Sequence, residues 1–242
     1  MTDITNKNLV SRGFTLIELL LALAITGIVI SLTGSGLYAL MNANQRSQTE
    51  TMDRLELEQA LAFMTDEIKM SQQIMTNIPS PGTKDKGFTP ASGSSRVQPV
   101  LVLKPAANSG LTSPIIYYLA DPPNDSVWIG PRVIYRWGPT LLQNGNYSDG
   151  NDRDLTLTSG STPVEYFNEV VIDRMSDLKL DRTKMICDNP NSRINYKATI
   201  ESNGFYACIN LDRKSAELWL NQQSHPSAKS RPLNALVVTR SN

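Results

Sequence analysis

Histidine occurs once and cysteine twice in this 242-residue chain, so the usual ligand sets for zinc, haem and iron–sulfur clusters are largely missing. Net charge is missing too. The 23 basic side chains balance 23 acidic ones, leaving no basic surplus for nucleic acid and no acidic tail. Aromatic residues are few, at 7%, but 40% apolar content is enough for a core. The length suits one medium domain with an anchor, or two small domains. The most informative absence is local: from Leu19 to Gln45 there is no Lys, Arg, Asp or Glu.

Catalytic constellations are absent as well. His225 lies in Gln222-Gln223-Ser224-His225-Pro226, a loop by composition, and Ser224 beside it does not make a triad. Gly34-Ser35-Gly36 lacks the GK[ST] that would make it a phosphate loop. Neither a cofactor nor an enzymatic activity is expected. One polar cluster, Asn144 to Asp154 (NGNYSDGNDRD), offers hard oxygen ligands of the kind calcium takes, at Asn146, Asp149, Asn151, Asp152 and Asp154. Its spacing is not that of an EF-hand, and a solvated loop is the plainer reading.

What is present begins with a short polar leader, residues 1–13 (MTDITNKNLVSRG), followed from Phe14 to Met41 by FTLIELLLALAITGIVISLTGSGLYALM. About 20 apolar residues span a bilayer as a helix, and this run is long enough. Lys7 and Arg12 lie on its N-terminal side, which by the positive-inside tendency stays cytoplasmic, placing the remainder outside. Glu18 is anomalous. A carboxylate costs up to about 3 kcal/mol at the bilayer centre and less near an end, so it asks for a positive partner, and no Lys or Arg follows within the span. A cut just before Phe14 would create one: the new α-amine of a neighbouring chain, at the same depth.

Gly13-Phe14-Thr15-Leu16-Ile17-Glu18 resembles the type IV prepilin processing motif. The resemblance implies cleavage between Gly13 and Phe14 by a prepilin peptidase, N-methylation of Phe14, and a role for Glu18 in docking onto a neighbouring subunit. It further implies assembly with other pilins or pseudopilins through an inner-membrane platform, and a single-pass protein that passes from membrane lipid into a periplasmic or cell-surface filament. Gly27, Ser31 and Ser35 recur at i, i+4 and i+8, a stripe that lets helices approach closely, although small residues are common in membrane helices anyway. Gly34 and Gly36 weaken the helix locally. A secretory signal peptide is the competing reading, with Leu19–Leu32 as apolar core and cleavage near Gly34-Ser35-Gly36. It would release a soluble domain such as a hydrolase, and it leaves Glu18 without a reason; a plain single-pass anchor would hold such a domain at the membrane, and a glycan-binding adhesin would share the pilin processing.

The helical pattern continues over residues 42–78. Leu57, Leu61, Met64 and Ile68 form an apolar stripe that Met75 extends, with Arg54, Glu56, Glu58, Asp66, Glu67 and Lys69 expected to face water. Pro79 and Pro81 are expected to end the helix. Residues 79–99, rich in Pro, Gly, Ser and Thr, read as a joining loop. Strand signals follow at Val100–Leu103, Ile115–Leu119, Val133–Trp137, Leu155–Thr158, Val170–Asp173, Tyr196–Ile200, Phe205–Asn210, Ala216–Leu220 and Leu236–Thr239. The two runs flanking residues 211–215 read as a hairpin. The fold class is therefore α+β: a long N-terminal helix, membrane-spanning in its first half, packed on a C-terminal antiparallel β-sheet head over residues 79–242. Cys187 and Cys208 enclose twenty residues. Outside the cytoplasm a disulfide between them is expected, as pilin heads often have, and otherwise two free thiols. Glu56–Ile74 and FYACINLDRKSAELWL (Phe205–Leu220) resemble PilW-like or J-type pseudopilins, including cyanobacterial ones linked to polysaccharide secretion and gliding. With a head larger than major pilins usually carry, the resemblance implies a minor pilin or pseudopilin.

Overall fold

The computed structural model of the protein describes residues 15–77, 87–111, 113–142, 146–148, 154, 164–178, 196–200, 204–210, 212–223 and 231–239. The chain divides into two units, Met1–Glu50 and Thr51–Asn242. A single helix, α1 (Leu16–Met70), runs through both. Among the described residues nine strands follow: β1 (Gln73–Met75), β2 (Ser95–Lys104), β3 (Ile115–Asp121), β4 (Arg132–Gly138), β5 (Phe167–Met175), β6 (Tyr196–Ile200), β7 (Phe205–Asn210), β8 (Ser215–Gln222) and β9 (Arg231–Val238). All pairings between them are antiparallel. The α+β class holds: a long apolar N-terminal helix whose second part packs on an antiparallel sheet. The run Leu155–Thr158 lies outside the described residues.

The end of α1 differs from expectation. The Ser71 N–H donates to the carbonyls of Glu67 and Ile68, and the Ser71 hydroxyl donates to the Ile68 carbonyl at 2.7 Å. These bonds satisfy the last turn, as a helix end requires. The Gln72 N–H then donates to the Lys104 carbonyl at 2.9 Å, which delivers the chain into the sheet. Met75 therefore belongs to β1 and not to the helix, and Pro79 and Pro81 are not what stops it.

Strands β1 to β5 form a meander, each pairing with the next. Strands β6, β7, β8 and β9 form a second group, and Met175↔Gln222 is the register pair that joins β5 to β8. The Ile74 N–H donates to the Arg213 carbonyl in the β7–β8 turn, drawing the far end of the second group against β1. The β7–β8 hairpin is where the sequence pattern places it.

One face of the sheet receives the helix. Leu57, Ala60, Leu61, Met64 and Ile68 pack with Leu101, Leu103, Tyr117, Leu119, Ile134, Phe205, Ala207, Leu218 and Leu220. The opposite face of β2–β4 is covered as well. Val102, Ile116, Tyr118, Ala120, Val133, Tyr135 and Trp137 point there and are closed over by Phe88. Phe88 meets Tyr118 and Trp137 edge-on at 5.2 and 5.6 Å. The lap is hydrogen-bonded: the Ala91 N–H donates to the Tyr118 hydroxyl, that hydroxyl to Asn168 Oδ1, and Asn168 Nδ2 to the Thr89 carbonyl. The reading of residues 79–99 as a joining loop is thus corrected at its C-terminal end. Residues 87–94 seal the outer face, and Ser95–Pro99 belong to β2. Pro99 is tolerated because it stands at a bulge, where the register shifts between Pro99 and Leu101. Burial on both faces also explains why β3 reads as a nearly continuous apolar run.

Two arginines fasten the helix to the sheet. Arg136 of β4 and Glu67 of α1 are both fully buried, which overturns the expectation that Glu67 faces water. Arg136 Nη2 lies 2.6 Å from Glu67 Oε1, and Nε bonds both carboxylate oxygens. The Tyr117 and Tyr147 hydroxyls also donate to Glu67, and Arg136 Nη1 reaches Glu169 at 3.1 Å. Burial works to lower the Arg136 pKa, but the Glu67 charge and hydrogen bonds outweigh it and raise it above the ordinary arginine value. Arg174 of β5 makes the second fastening, to Asp53 and Glu56.

At the β2–β3–β4 edge, Asp121 accepts from Ser95 Oγ and Arg96 Nε, both at 2.8 Å, and lies 3.5 Å from Arg132 Nε. Burial works to raise the Asp121 carboxyl, yet the bonds from Arg96 and Ser95 and the charges of Arg96 and Arg132 hold it below its ordinary range. A depressed carboxyl stabilises the fold above its unfolded pKa of about 4, and that contribution is lost as pH falls through the folded value. The thermal midpoint of wild type is therefore expected to fall more steeply below about pH 4 than that of Asp121→Asn. Parallel midpoints on acidification would refute the assignment.

Candidate assembly site

Within the N-terminal unit the helix begins on a reciprocal cap. The Glu18 N–H donates to Thr15 Oγ1 at 3.4 Å, and Glu18 Oε2 accepts from the Thr15 N–H at 2.9 Å and the Thr15 hydroxyl at 3.0 Å. Thr15-Leu16-Ile17-Glu18 is thus a capping box, satisfying donors that an isolated helix start would leave open, with a carboxylate at the positive end of the helix dipole. Glu18 thus has a partner in its own chain besides the docking role that the prepilin motif implies. The Thr-x-x-Glu spacing was the signal that could have revealed its second partner, Thr15. Gly13 and Phe14 lie outside the described residues.

The apolar run that follows keeps its polar groups to itself. The Thr26 hydroxyl donates to the Ala22 carbonyl at 2.7 Å, Ser31 to Gly27 and Ser35 to Leu32 at 2.9 Å, and Thr33 to Val29. No hydroxyl among these needs an outside partner, which is what a hydrocarbon surrounding demands. By length and composition this helix is able to cross a membrane. Gly27, Ser31 and Ser35 lie on it at the expected spacing, and the space where a Cβ on Gly27 would stand is open. The helix continues through Gly34 and Gly36.

Of the calcium candidates, Asp149, Asn151 and Asp152 lie outside the described residues. Asp154 bridges to Ser148, and its Oδ2 accepts from Asn146 Nδ2 at 2.6 Å. Among the described residues no three His, Cys, Asp or Glu side chains are grouped to hold a metal. His225 and Cys187 are also outside the described residues, while Cys208 is buried on β7.

Residues 9–34 match the family model described as the prokaryotic N-terminal methylation motif. No curated protein and no solved structure matches the chain. The matched stretch contains Gly13, Phe14, the Thr15–Glu18 cap and the apolar run as far as Gly34. It supports a type IV pilin-like protein, and with it processing by a prepilin peptidase and assembly with other pilins. The apolar helix is in keeping with a single-pass membrane anchor.

Proposed function

We propose that this chain is a minor pilin or pseudopilin, cut between Gly13 and Phe14, methylated on Phe14, and assembled through α1 into a type IV pilus or secretion filament. The observation that carries the reading is the methylation motif running directly into a capped, unbroken apolar helix that ends in a packed head. The helix waits in the inner membrane with its leader in the cytoplasm and its head outside. Glu18 then pairs with the α-amine of a neighbouring subunit and sets the register, with Gly27, Ser31 and Ser35 facing the adjoining helix. Force comes from a separate assembly ATPase and platform, and the head has no catalytic activity of its own. A Cys187–Cys208 bond closing the C-terminal part of the head fits this location. In the chain-entropy model it contributes about 3 kcal/mol.

The deciding experiment is the intact mass and N-terminal sequence of the protein from membranes, with and without prepilin peptidase. A peptidase-dependent start at methylated Phe14 is expected. A start near Ser35–Leu37 that does not depend on that peptidase would mean a signal peptide and a released soluble domain.

A further inference from the structure

The connection between β3 and β4 holds three apolar residues out in solvent. Val127, Trp128 and Ile129 are 82%, 43% and 67% exposed. Exposure of single apolar residues is ordinary, but three in succession on a stiff loop are not. This loop is pinned at several points. Pro123 packs against Gly93, and the Ser126 N–H closes a turn onto the Pro123 carbonyl at 3.0 Å. The Ile129 N–H donates to Asp173 Oδ2 at 3.1 Å, and the Ile129 carbonyl accepts from the Arg174 N–H at 2.8 Å. Gly130, at φ +109°, lies so close to β5 that an added Cβ would stand 2.5 Å from the Arg174 Cα. Gly130→Ala is accordingly expected to loosen the loop and destabilise the head, read as a lower thermal midpoint. An unchanged midpoint would show that the loop is not held there.

A loop whose backbone is held before binding loses little freedom when it binds, and tryptophan is among the residue types most enriched where binding energy concentrates. The surroundings of the knob are acidic. Arg174, which holds Ile129, is bound to Asp53, Glu56 and Asp173, Arg96 and Arg132 at the root of the loop face Asp121 and Asp177, and Asp125 is exposed within the loop, so six carboxylates stand against three guanidinium groups. An anionic bilayer surface draws basic segments, so this rim disfavours lipid. A protein pocket bordered by Lys or Arg is its electrostatic complement.

We propose that Val127-Trp128-Ile129 is a docking knob that inserts into an apolar pocket, bordered by basic residues, on the head of a different filament subunit. The inference rests on the filament reading above and names the surface by which the head chooses a neighbour. The knob stands at the end of the head where the helix enters, because Arg174 joins the Ile129 backbone to Asp53 and Glu56. Partners anchored in one membrane meet at high effective concentration, so a small knob is sufficient to select among them.

The test uses the full-length protein in its own membranes, with a photo-cross-linking residue in place of Val127. Adducts are identified by mass spectrometry, and the N-terminus is read from the same sample. The expected result is an adduct with another chain that itself carries a methylation motif. Trp128→Ser is expected to reduce it about tenfold at equal abundance and unchanged thermal midpoint. In a sample that starts at Phe14, adducts only with lipid, only with a second copy of this chain, or with nothing would overturn the proposal, as would an adduct indifferent to Trp128→Ser. A sample that does not start at Phe14 would overturn the filament reading itself, and the knob's partner with it.

Discussion

Replacing Arg136 with leucine is expected to destabilise the head by about 3–5 kcal/mol, because it strands the Glu67 carboxylate in a dry interior. The Tyr117 and Tyr147 hydroxyls remain as donors, but neither neutralises the charge. The double variant Arg136→Leu/Glu67→Met is expected to recover most of the loss. The fastening as a whole adds little net stability over an apolar pair of similar volume, whereas half of it is costly. Thermal unfolding of the four proteins, wild type, both single variants and the double variant, gives the coupling directly. Losses that simply add would mean that Arg136 and Glu67 are not acting as a pair. The geometry argues against that result, since Arg136 sits beneath Gly138 with no room to swing away: a Cβ there would come within 3.0 Å of the guanidinium carbon.

The second large effect is at the other end of α1. Glu18→Gln is expected to leave a processed, membrane-inserted protein with an intact helix start, because glutamine at this position completes a capping box as glutamate does. It is nonetheless expected to fail in filament incorporation, as Glu18→Ala does, since both remove the charge that meets the incoming α-amine. The two variants separate roles that coincide on one side chain. If Glu18→Gln assembles normally and Glu18→Ala does not, the residue is there to cap the helix, and docking is carried by something else. Incorporation is read by cross-linking into sheared filaments or, for a short secretion filament, into the membrane-bound assembly.

The helix–sheet packing was legible because it is periodic. Leu57, Leu61, Met64 and Ile68 face one way on any helix through these residues, and with Ala60 they are the apolar helix residues that the core buries. Glu67 was not legible. Its spacing places it beside Ala60 and Met64 at the edge of the stripe, and Arg136, Tyr117 and Tyr147, far along the chain, make that place habitable for a carboxylate. Met75 was misread for the same reason. Its spacing continues the stripe, but Ser71 and the backbone of Lys104 end the helix first. Among residues 79–99 composition pointed to a loop, and Phe88, the one large aromatic there, was the overlooked sign that this segment covers something. Of the assembly residues, Gly13, Phe14 and Glu18 were legible as a motif, whereas the partner that Glu18 has within its own chain, Thr15, required the helix start to be placed. Val127–Ile129 carry no pattern at all. Their meaning comes from being held in the open by β5.

The way the two strand groups meet also sets an order of events for the growing chain. Strands β2 to β5 each pair with the strand before, so this half can zip up strand by strand as it emerges, and the entropy of closing its connections grows only slowly with their length. The contacts that finish the head cannot form so early. Met175↔Gln222 and the bond from Ile74 to Arg213 both wait for β8 and its turn. Until then the helix face that will meet Phe205, Leu218 and Leu220 stays bare. The last quarter of the polypeptide is therefore the latch, and a chain that stops short of β8 leaves an open clam with its sticky lining showing, a target for proteases and not a smaller head.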